Sequence, residues 1–188
     1  MAYKFIQITD LGFNHSISQD MEINKYAENL RKEAFNKVID LCIEERATAL
    51  LICGNLYDEE HITYDNARLI KKGFAKLKSN DIAIVYAHGN LDNGYFLDSI
   101  ENDIIEIKSR YTKNVYSFPF NIDKINFVGI GNSKRLVFQD EYLEEEKSEF
   151  PTIGLMYIDN KVYTGQTLEL LHRRLQKSNA LYWALGGS

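Results

Sequence analysis

The chain has few cysteines, few prolines and no long hydrophobic run. Two cysteines occur in 188 residues, too few for a disulfide framework, and Cys42 and Cys53 are not spaced as a paired metal motif. Two prolines occur, and no stretch is low in complexity, so the sequence predicts neither a linker nor an internal repeat. We therefore expect a single domain over residues 1–188 with buried free thiols.

Targeting signals and strong charge are also missing. The N-terminus has no apolar signal-peptide region, and no apolar run has the length of a membrane span, so we expect a cytoplasmic protein without membrane contact. The net charge of -5 argues against bulk electrostatic coating of nucleic acid, although a local basic face remains compatible with it. A hydrophobic share of 45% and a charged share of 26% are typical of a globular domain.

Helical and strand patterns alternate along the chain. Residues 25–46 and a stretch after Thr63 repeat apolar residues at spacings of three and four, which predicts helices with Asn24 and Thr63 as N-caps. Further helices are expected near 95–110 and 167–178. Strands are predicted at residues 3–9, 47–53, 82–87, 115–120, 124–131, 152–158 and 181–185. The alternation predicts an α/β fold with central, largely parallel mixed sheets flanked by helices.

Unusual residues fall directly after the predicted strands. Asp10 follows the first strand, Gly54 and Asn55 follow the second, and Gly89 and Asn90 follow the third. Open α/β sheets build their sites at the carboxyl ends of their strands. We therefore expect the functional site, if there is one, at this edge.

Five short motifs mark the strand ends. In order they are ITDLG (8–12), CGNLYD (53–58), HGNLD (88–92), GLMYID (154–159) and YWALGG (182–187). Their order and spacing resemble the calcineurin-like metallophosphoesterases, and most of all the SbcD-type DNA-repair exonucleases, over essentially the whole chain. The resemblance implies a layered metallophosphoesterase fold. In that family, carboxylate, amide and imidazole ligands from the strand ends hold two divalent ions, which clamp a phosphodiester and generate hydroxide.

The family's metal ligands are mostly replaced in this chain. Asp10 and Asn90 keep ligand residues, but the bridging aspartate is Asn55 and the position of the catalytic histidine is Leu91. Histidine ligand positions are occupied by Gly12, Tyr157 and Gly187. Two hard cations without anionic ligands would not recover their dehydration cost. The resemblance therefore implies vestigial ligand positions at Asp10, Asn55 and Asn90, no catalytic residue and no cofactor, with manganese as the metal if one is bound.

Asn55 suits a site without metal. Two aspartates held close without cations would repel each other, whereas an asparagine keeps the shape and offers an amide donor to Asp10. Asp58 and Asp92 match family aspartates that mainly hold the loops around the ligands. His88 could approach Asp10 and form a mononuclear metal site, but we favour a hydrogen-bonded strand-end histidine.

Other histidines and tyrosines are given structural interpretations. His15 has the same two interpretations as His88, and a hydrogen-bonded loop histidine is again favoured. His61 and His172 are expected to face solvent. Tyr57, Tyr86 and Tyr157 are expected to be core aromatics rather than catalytic phenols.

Two functions compete. The leading hypothesis is a catalytically degenerate SbcD-like domain that acts as a binding or scaffold module. The alternative is an active metal-dependent phosphodiesterase or DNA exonuclease with a remodelled, mononuclear site of Asp10, His88 and Asn90. A nucleotide-binding module is disfavoured because the chain has no glycine-rich phosphate loop of the G-x-x-x-x-G-K type.

The resemblance also implies partners. SbcD-type nucleases work with an SMC-like ATPase and pair through helices of this domain, so such an ATPase or a second copy of the chain is expected, with weak DNA binding at most. The family's C-terminal capping and ATPase-binding segments are expected to be missing. A homodimer would use the predicted helices at 63–79 and 95–110, where Leu69, Tyr95 and Phe96 are apolar.

Overall fold

The computed structural model describes residues 3–92, 104–107, 112–117, 124–131, 149–161 and 163–187. Its helices are α1 (Met21–Glu44), α2 (Tyr64–Lys78) and α3 (Gln166–Lys177). Its strands are β1 (Phe5–Ile8), β2 (Ala49–Cys53), β3 (Ala83–Ala87), β4 (Ile105–Ile107), β5 (Thr112–Ser117), β6 (Lys124–Ile130), β7 (Thr152–Tyr157) and β8 (Tyr182–Gly186). The α/β class predicted from the alternating patterns is confirmed.

The strands form two sheets of four. In the first sheet, in the order β1-β2-β3-β4, all neighbouring strands are parallel. In the second, in the order β5-β6-β7-β8, only β5 and β6 are antiparallel. Parallel strands place their carboxyl ends at the same edge. The residues that follow β1, β2 and β3 are therefore neighbours in space.

One hydrophobic cluster lies between the two sheets. Leu51 of β2 and Val85 of β3 share it with Phe127 of β6 and Leu155 of β7. β2, β3 and β7 are buried along their whole length, and β6 is buried after Lys124, as expected for parallel strands covered on two faces. The sheets therefore pack face to face, and the loops at the strand ends sit over a rigid base.

The helices cover the outer faces of the sheets. Phe35 of α1 and Phe74 of α2 pack against Leu50 and Ile52, whose side chains leave β2 on the opposite face from Leu51. On the second sheet, α3 buries leucines against Met156 of β7. No helix in the described ranges has the length and apolar character needed to cross a membrane.

The N-cap prediction is right for α2 and wrong for α1. For α2, Thr63 is the N-cap as predicted, because its side chain accepts a hydrogen bond from the backbone N–H of Asn66. For α1, the prediction of Asn24 was wrong, since Asp20 caps the helix by accepting from the N–H of Glu22 at 2.8 Å. Asn24 instead uses its Oδ1 to accept backbone N–H groups of the preceding loop.

The predicted helix near 95–110 is wrong over part of its length. Residues 105–107 form β4, in which Ile105 pairs with Val85 and Ile107 pairs with Ala87. β-Branched isoleucines favour strands, and β3 offers them a buried parallel neighbour. Residues 95–103 and 108–110 lie outside the described part of the chain.

Candidate functional site

The loops after β1 and β2 run side by side. The N–H of Asp10 donates to the carbonyl of Gly54 at 3.1 Å, and the N–H of Gly12 donates to the carbonyl of Asn55 at 2.7 Å. Phe13 continues the pairing by donating to Leu56 at 2.9 Å. These backbone bonds fix Asp10 beside Asn55, as the strand-end pattern predicts.

Both central residues have left-handed backbones. Asp10 has φ 53° and Asn55 has φ 51°, a conformation that short polar side chains tolerate better than most non-glycine residues. The loop after β3 meets Asn55 through Gly89, where an added Cβ would lie 2.3 Å from the side-chain oxygen of Asn55. Only glycine at this position lets the third loop approach so closely.

Asn55 lies at the centre of the site. Its Nδ2 donates to Asp10 Oδ1 at 2.8 Å and to the Tyr157 hydroxyl oxygen at 2.9 Å. Its Oδ1 accepts the backbone N–H of Leu91 at 3.0 Å. The carboxylate acceptor on one side and the N–H donor on the other determine how the amide is oriented. The Asn55 side chain, which is 6% exposed, thus joins Asp10, the loop after β3 and the end of β7. The amide donor to Asp10 that the sequence predicts is present.

The second oxygen of the Asp10 carboxylate also accepts hydrogen bonds. Asp10 Oδ2 accepts from the hydroxyl of Thr9 at 2.5 Å and from the N–H of Gly187 at 3.2 Å. Thr9 was missed by sequence reasoning, although its place directly before Asp10 in the first motif was the available signal. Neutral protein donors thus stabilise the Asp10 carboxylate on both oxygens.

Tyr157 closes the site from the end of β7. Its side chain is buried, as expected for a core aromatic, and its hydroxyl oxygen accepts from Asn55. Burial raises the pKa of Tyr157, the hydrogen bond from Asn55 lowers it, and the negative charge of Asp10 raises it further. The net pKa is above the ordinary value, so the group is a neutral phenol near neutral pH.

These residues do not fit a dinuclear metal centre. A cation needs lone pairs, but the Asn55 group that faces Asp10 is an NH₂ donor. At Gly187, with φ 126°, an added Cβ would lie 1.9 Å from the carbonyl oxygen of Ile158, so this backbone excludes a histidine. Gly12 has φ 62° and no side chain to offer. Within the described ranges, no three His, Cys, Asp or Glu side chains group closely enough to hold a metal ion.

Asn90 and Leu91 lie in the half-buried loop after β3. Leu91, where the sequence resemblance implies that a catalytic histidine is replaced, contributes through its backbone. Its N–H donates to Asn55, and its carbonyl accepts the N–H of Glu59 at 2.9 Å. The loop is therefore held by main-chain bonds and presents no proton-transferring side chain at position 91.

Asp92 organises the buried side of the same loop. Its carboxylate accepts the N–H of Leu56 at 2.9 Å, the N–H of Gly89 at 2.5 Å and the hydroxyl of Tyr86. His88 has its Nδ1 3.1 Å from the Asp92 carbonyl oxygen, and its ring lies 5.4 Å from that of Tyr86. These contacts support the interpretation of His88 as a hydrogen-bonded strand-end histidine, and they place Asp92 where it holds the loops after β2 and β3.

Asp58 binds two histidines. His15 Nδ1 lies 3.3 Å from Asp58 Oδ2, and His61 Nδ1 lies 3.1 Å from Asp58 Oδ1. His15 is thus a hydrogen-bonded loop histidine, while His61 is exposed as expected but also reaches the carboxylate. Burial alone would raise the pKa of Asp58, but the hydrogen bonds from His61 and His15 outweigh it and hold that pKa below its ordinary value.

Because the pKa of Asp58 is lowered, the stability of the protein should fall in acid. A carboxyl with a depressed folded-state pKa stabilises the protein above its unfolded pKa, and this stabilisation is lost as pH falls through the folded value. Asp58→Asn should therefore cost about 1 kcal/mol near neutral pH, with the difference from the parent disappearing in acid. Denaturant unfolding across the pH range is the measurement. Glu33→Gln, at an exposed position in the middle of α1, is the control and should cost less than Asp58→Asn near neutral pH.

Comparisons with known proteins give the fold. No protein-family model and no curated protein matches the chain. Among solved structures, it is similar to a dimetal phosphatase from Danio rerio, with 11% identity, a TM-score of 0.52, and coverage of 96% of this chain and 80% of that one. It is also similar to the protein TT1561 of Thermus thermophilus, with 16% identity, a TM-score of 0.55 and the same coverage of 96% and 80%.

At these identities the likeness shows the fold alone. The chain has the same fold as these two proteins. The likeness supports the fold that the sequence-based resemblance implies. The closer resemblance to SbcD-type exonucleases stays a prediction.

Proposed function

We propose that this chain is a catalytically degenerate, SbcD-like domain that works as a binding or scaffold module rather than as a nuclease. The observation that supports this most is the Asn55 amide, which donates to Asp10 and to Tyr157 at the position of the family's bridging carboxylate. A hydrogen-bond donor there replaces the two lone pairs that would bridge a pair of ions.

The surroundings of Asn55 support the same conclusion. Asp10 already accepts donors on both oxygens, so a cation would have to displace hydrogen bonds as well as its own water. Leu91 replaces the group that would transfer a proton. These substitutions complement one another as a hydrogen-bonded cluster that is stable without metal.

The predicted partners are a second copy of the chain and an SMC-like ATPase. A second copy docking through α2 loses support because Leu69, expected at that surface, is half-buried and packs against the core. Tyr95 and Phe96 lie outside the described residues. An SMC-like ATPase and the cytoplasmic location stay predictions. Co-purification of the chain with an SMC-like ATPase encoded in the same genome would test the former, and two separately eluting proteins would contradict it.

Metal binding and cleavage test the proposal directly. We expect calorimetric titration with Mn²⁺ to show binding weaker than micromolar, and linear duplex DNA to remain uncut in the presence of Mn²⁺. The reason is the shortage of anionic ligands around Asp10. Asp10→Ala should change neither result.

Two observations together would overturn the proposal. They are stoichiometric micromolar Mn²⁺ binding and metal-dependent cleavage that is lost in Asp10→Ala. A contaminating nuclease is recognised because its activity would survive that substitution.

A further inference from the structure

A cavity of about 400 Å³ lies between α3 and the outer face of the second sheet. Its apolar lining consists of Ile158, Leu168, Leu171, Leu175, Trp183 and Leu185. None of these residues belongs to the Asn55 cluster, and the inference drawn from the cavity does not depend on the function proposed for that cluster. Its volume falls within the range of about 300–1,000 Å³ that is common for small-molecule pockets.

One wall of the cavity is held in place before any ligand binds. The ring of Trp183 lies over Gly154, where an added Cβ would be 2.3 Å from Trp183 Cε3. The indole N–H donates to the hydroxyl oxygen of Ser178 at 2.7 Å. A flat aromatic surface fixed in this way offers stacking area without the entropic cost of ordering a side chain.

Two polar side chains of α3 complete the lining. His172 Nε2 lies 3.0 Å from Gln176 Nε2. Both side chains are exposed, and nearly all of the cavity surface is apolar. The cavity therefore suits an apolar ligand.

We propose that the cavity binds a small apolar molecule with an aromatic ring. The ring lies against Trp183. Leu168 is 43% exposed and Leu185 is 37% exposed, so a ligand removes apolar surface from water at the mouth of the cavity. That burial supplies the driving force, and the fixed indole ring of Trp183 favours a flat aromatic ligand.

The chain offers a direct readout, because Trp183 is its only tryptophan. Anilinonaphthalene sulfonate, whose aromatic rings are apolar, is a suitable probe. We expect one equivalent of the probe to bind. Binding should quench the fluorescence of Trp183 and transfer its excitation energy to the probe. In ¹H–¹⁵N spectra, the single indole N–H signal should shift in the same titration.

Two exposed leucines of α3 form a matched pair of test and control. Leu168 lines the cavity, whereas Leu170 has a similar exposure of 47% and does not line it. Leu168→Glu places a charge at the mouth and should weaken probe binding about tenfold or more, while Leu170→Glu should leave it unchanged. Gln176→Phe, which fills the cavity from an exposed position, is a second test, with Lys177→Phe as its control.

Three outcomes would overturn the proposal. Equal weakening by Leu168→Glu and Leu170→Glu would mean that the probe binds helix surface in general. Probe binding without any change in Trp183 would place it elsewhere. Shielding of Trp183 from acrylamide that grows with protein concentration in the absence of probe would mean that a second copy covers the cavity.

Discussion

Asn55→Asp is expected to destabilise the protein by about 2–4 kcal/mol at pH 7.5. The amide of Asn55 is buried and donates to Asp10 Oδ1 at 2.8 Å and to Tyr157 at 2.9 Å. An aspartate loses both donors and places a second carboxylate beside the first. Chemical denaturation of the variant and the parent measures the loss.

The pH dependence of this loss has a definite sign. Two carboxylates in contact raise the folded-state pKa of the pair above the ordinary value of about 4. A raised folded pKa means that the penalty is absent at low pH and appears as pH rises through the unfolded value. At pH 4.5 the pair shares a proton, so the variant should approach the parent. The gap should open between pH 4.5 and pH 7.5.

A reversed pair provides the control. In Asp10→Asn combined with Asn55→Asp, the amide and the carboxylate exchange places, and one donor again faces one acceptor. The new carboxylate at position 55 can also accept from Leu91 and Tyr157. We expect most of the stability to return. The interpretation that Asn55 stabilises this site without metal is wrong under either of two results. Asn55→Asp alone would be as stable as the parent at pH 7.5, or Mn²⁺ would raise the melting temperature of the variant by several degrees.

Periodicity and turn residues predicted most elements of the fold because they are local signals. Thr63 was identified as an N-cap from its own position before an apolar repeat. The strand at 105–107 was missed because its stability comes from pairing with β3, a contact between residues distant in the chain. Asn24 was mistaken for a cap because the local pattern does not distinguish it from Asp20, four residues earlier.

The candidate site was predictable where motif and chemistry agree. The pairing of Asp10 with Asn55 followed from their strand-end positions and from the repulsion that two aspartates would have. The contact of Tyr157 with Asn55 did not, because it depends on how the second sheet lies over the first. Likewise, His61 reaches Asp58 through the turn after β2, and no spacing rule specifies which loop side chains converge on one carboxylate.

Asp92→Ala is expected to cost about 3–5 kcal/mol, the largest single effect among these substitutions. Asp92 is fully buried, and its carboxylate accepts from Leu56, Gly89 and Tyr86. Removing it leaves three buried donors without their acceptor, each of which costs about 1–3 kcal/mol when unpaired. Denaturant unfolding measures the total.

The same substitution tests whether Asp92 supports Asn55. The backbone of Leu56 directly follows Asn55, and Gly89 packs against the Asn55 side chain. Loss of the carboxylate should therefore loosen the loops after β2 and β3 and speed hydrogen exchange at Leu91, while exchange in α3 stays unchanged. Tyr86→Phe removes only one of the three donors and should cost about 1 kcal/mol. If Asp92→Ala costs no more than Tyr86→Phe, or if exchange rises equally in α3, then Asp92 does not hold these loops together.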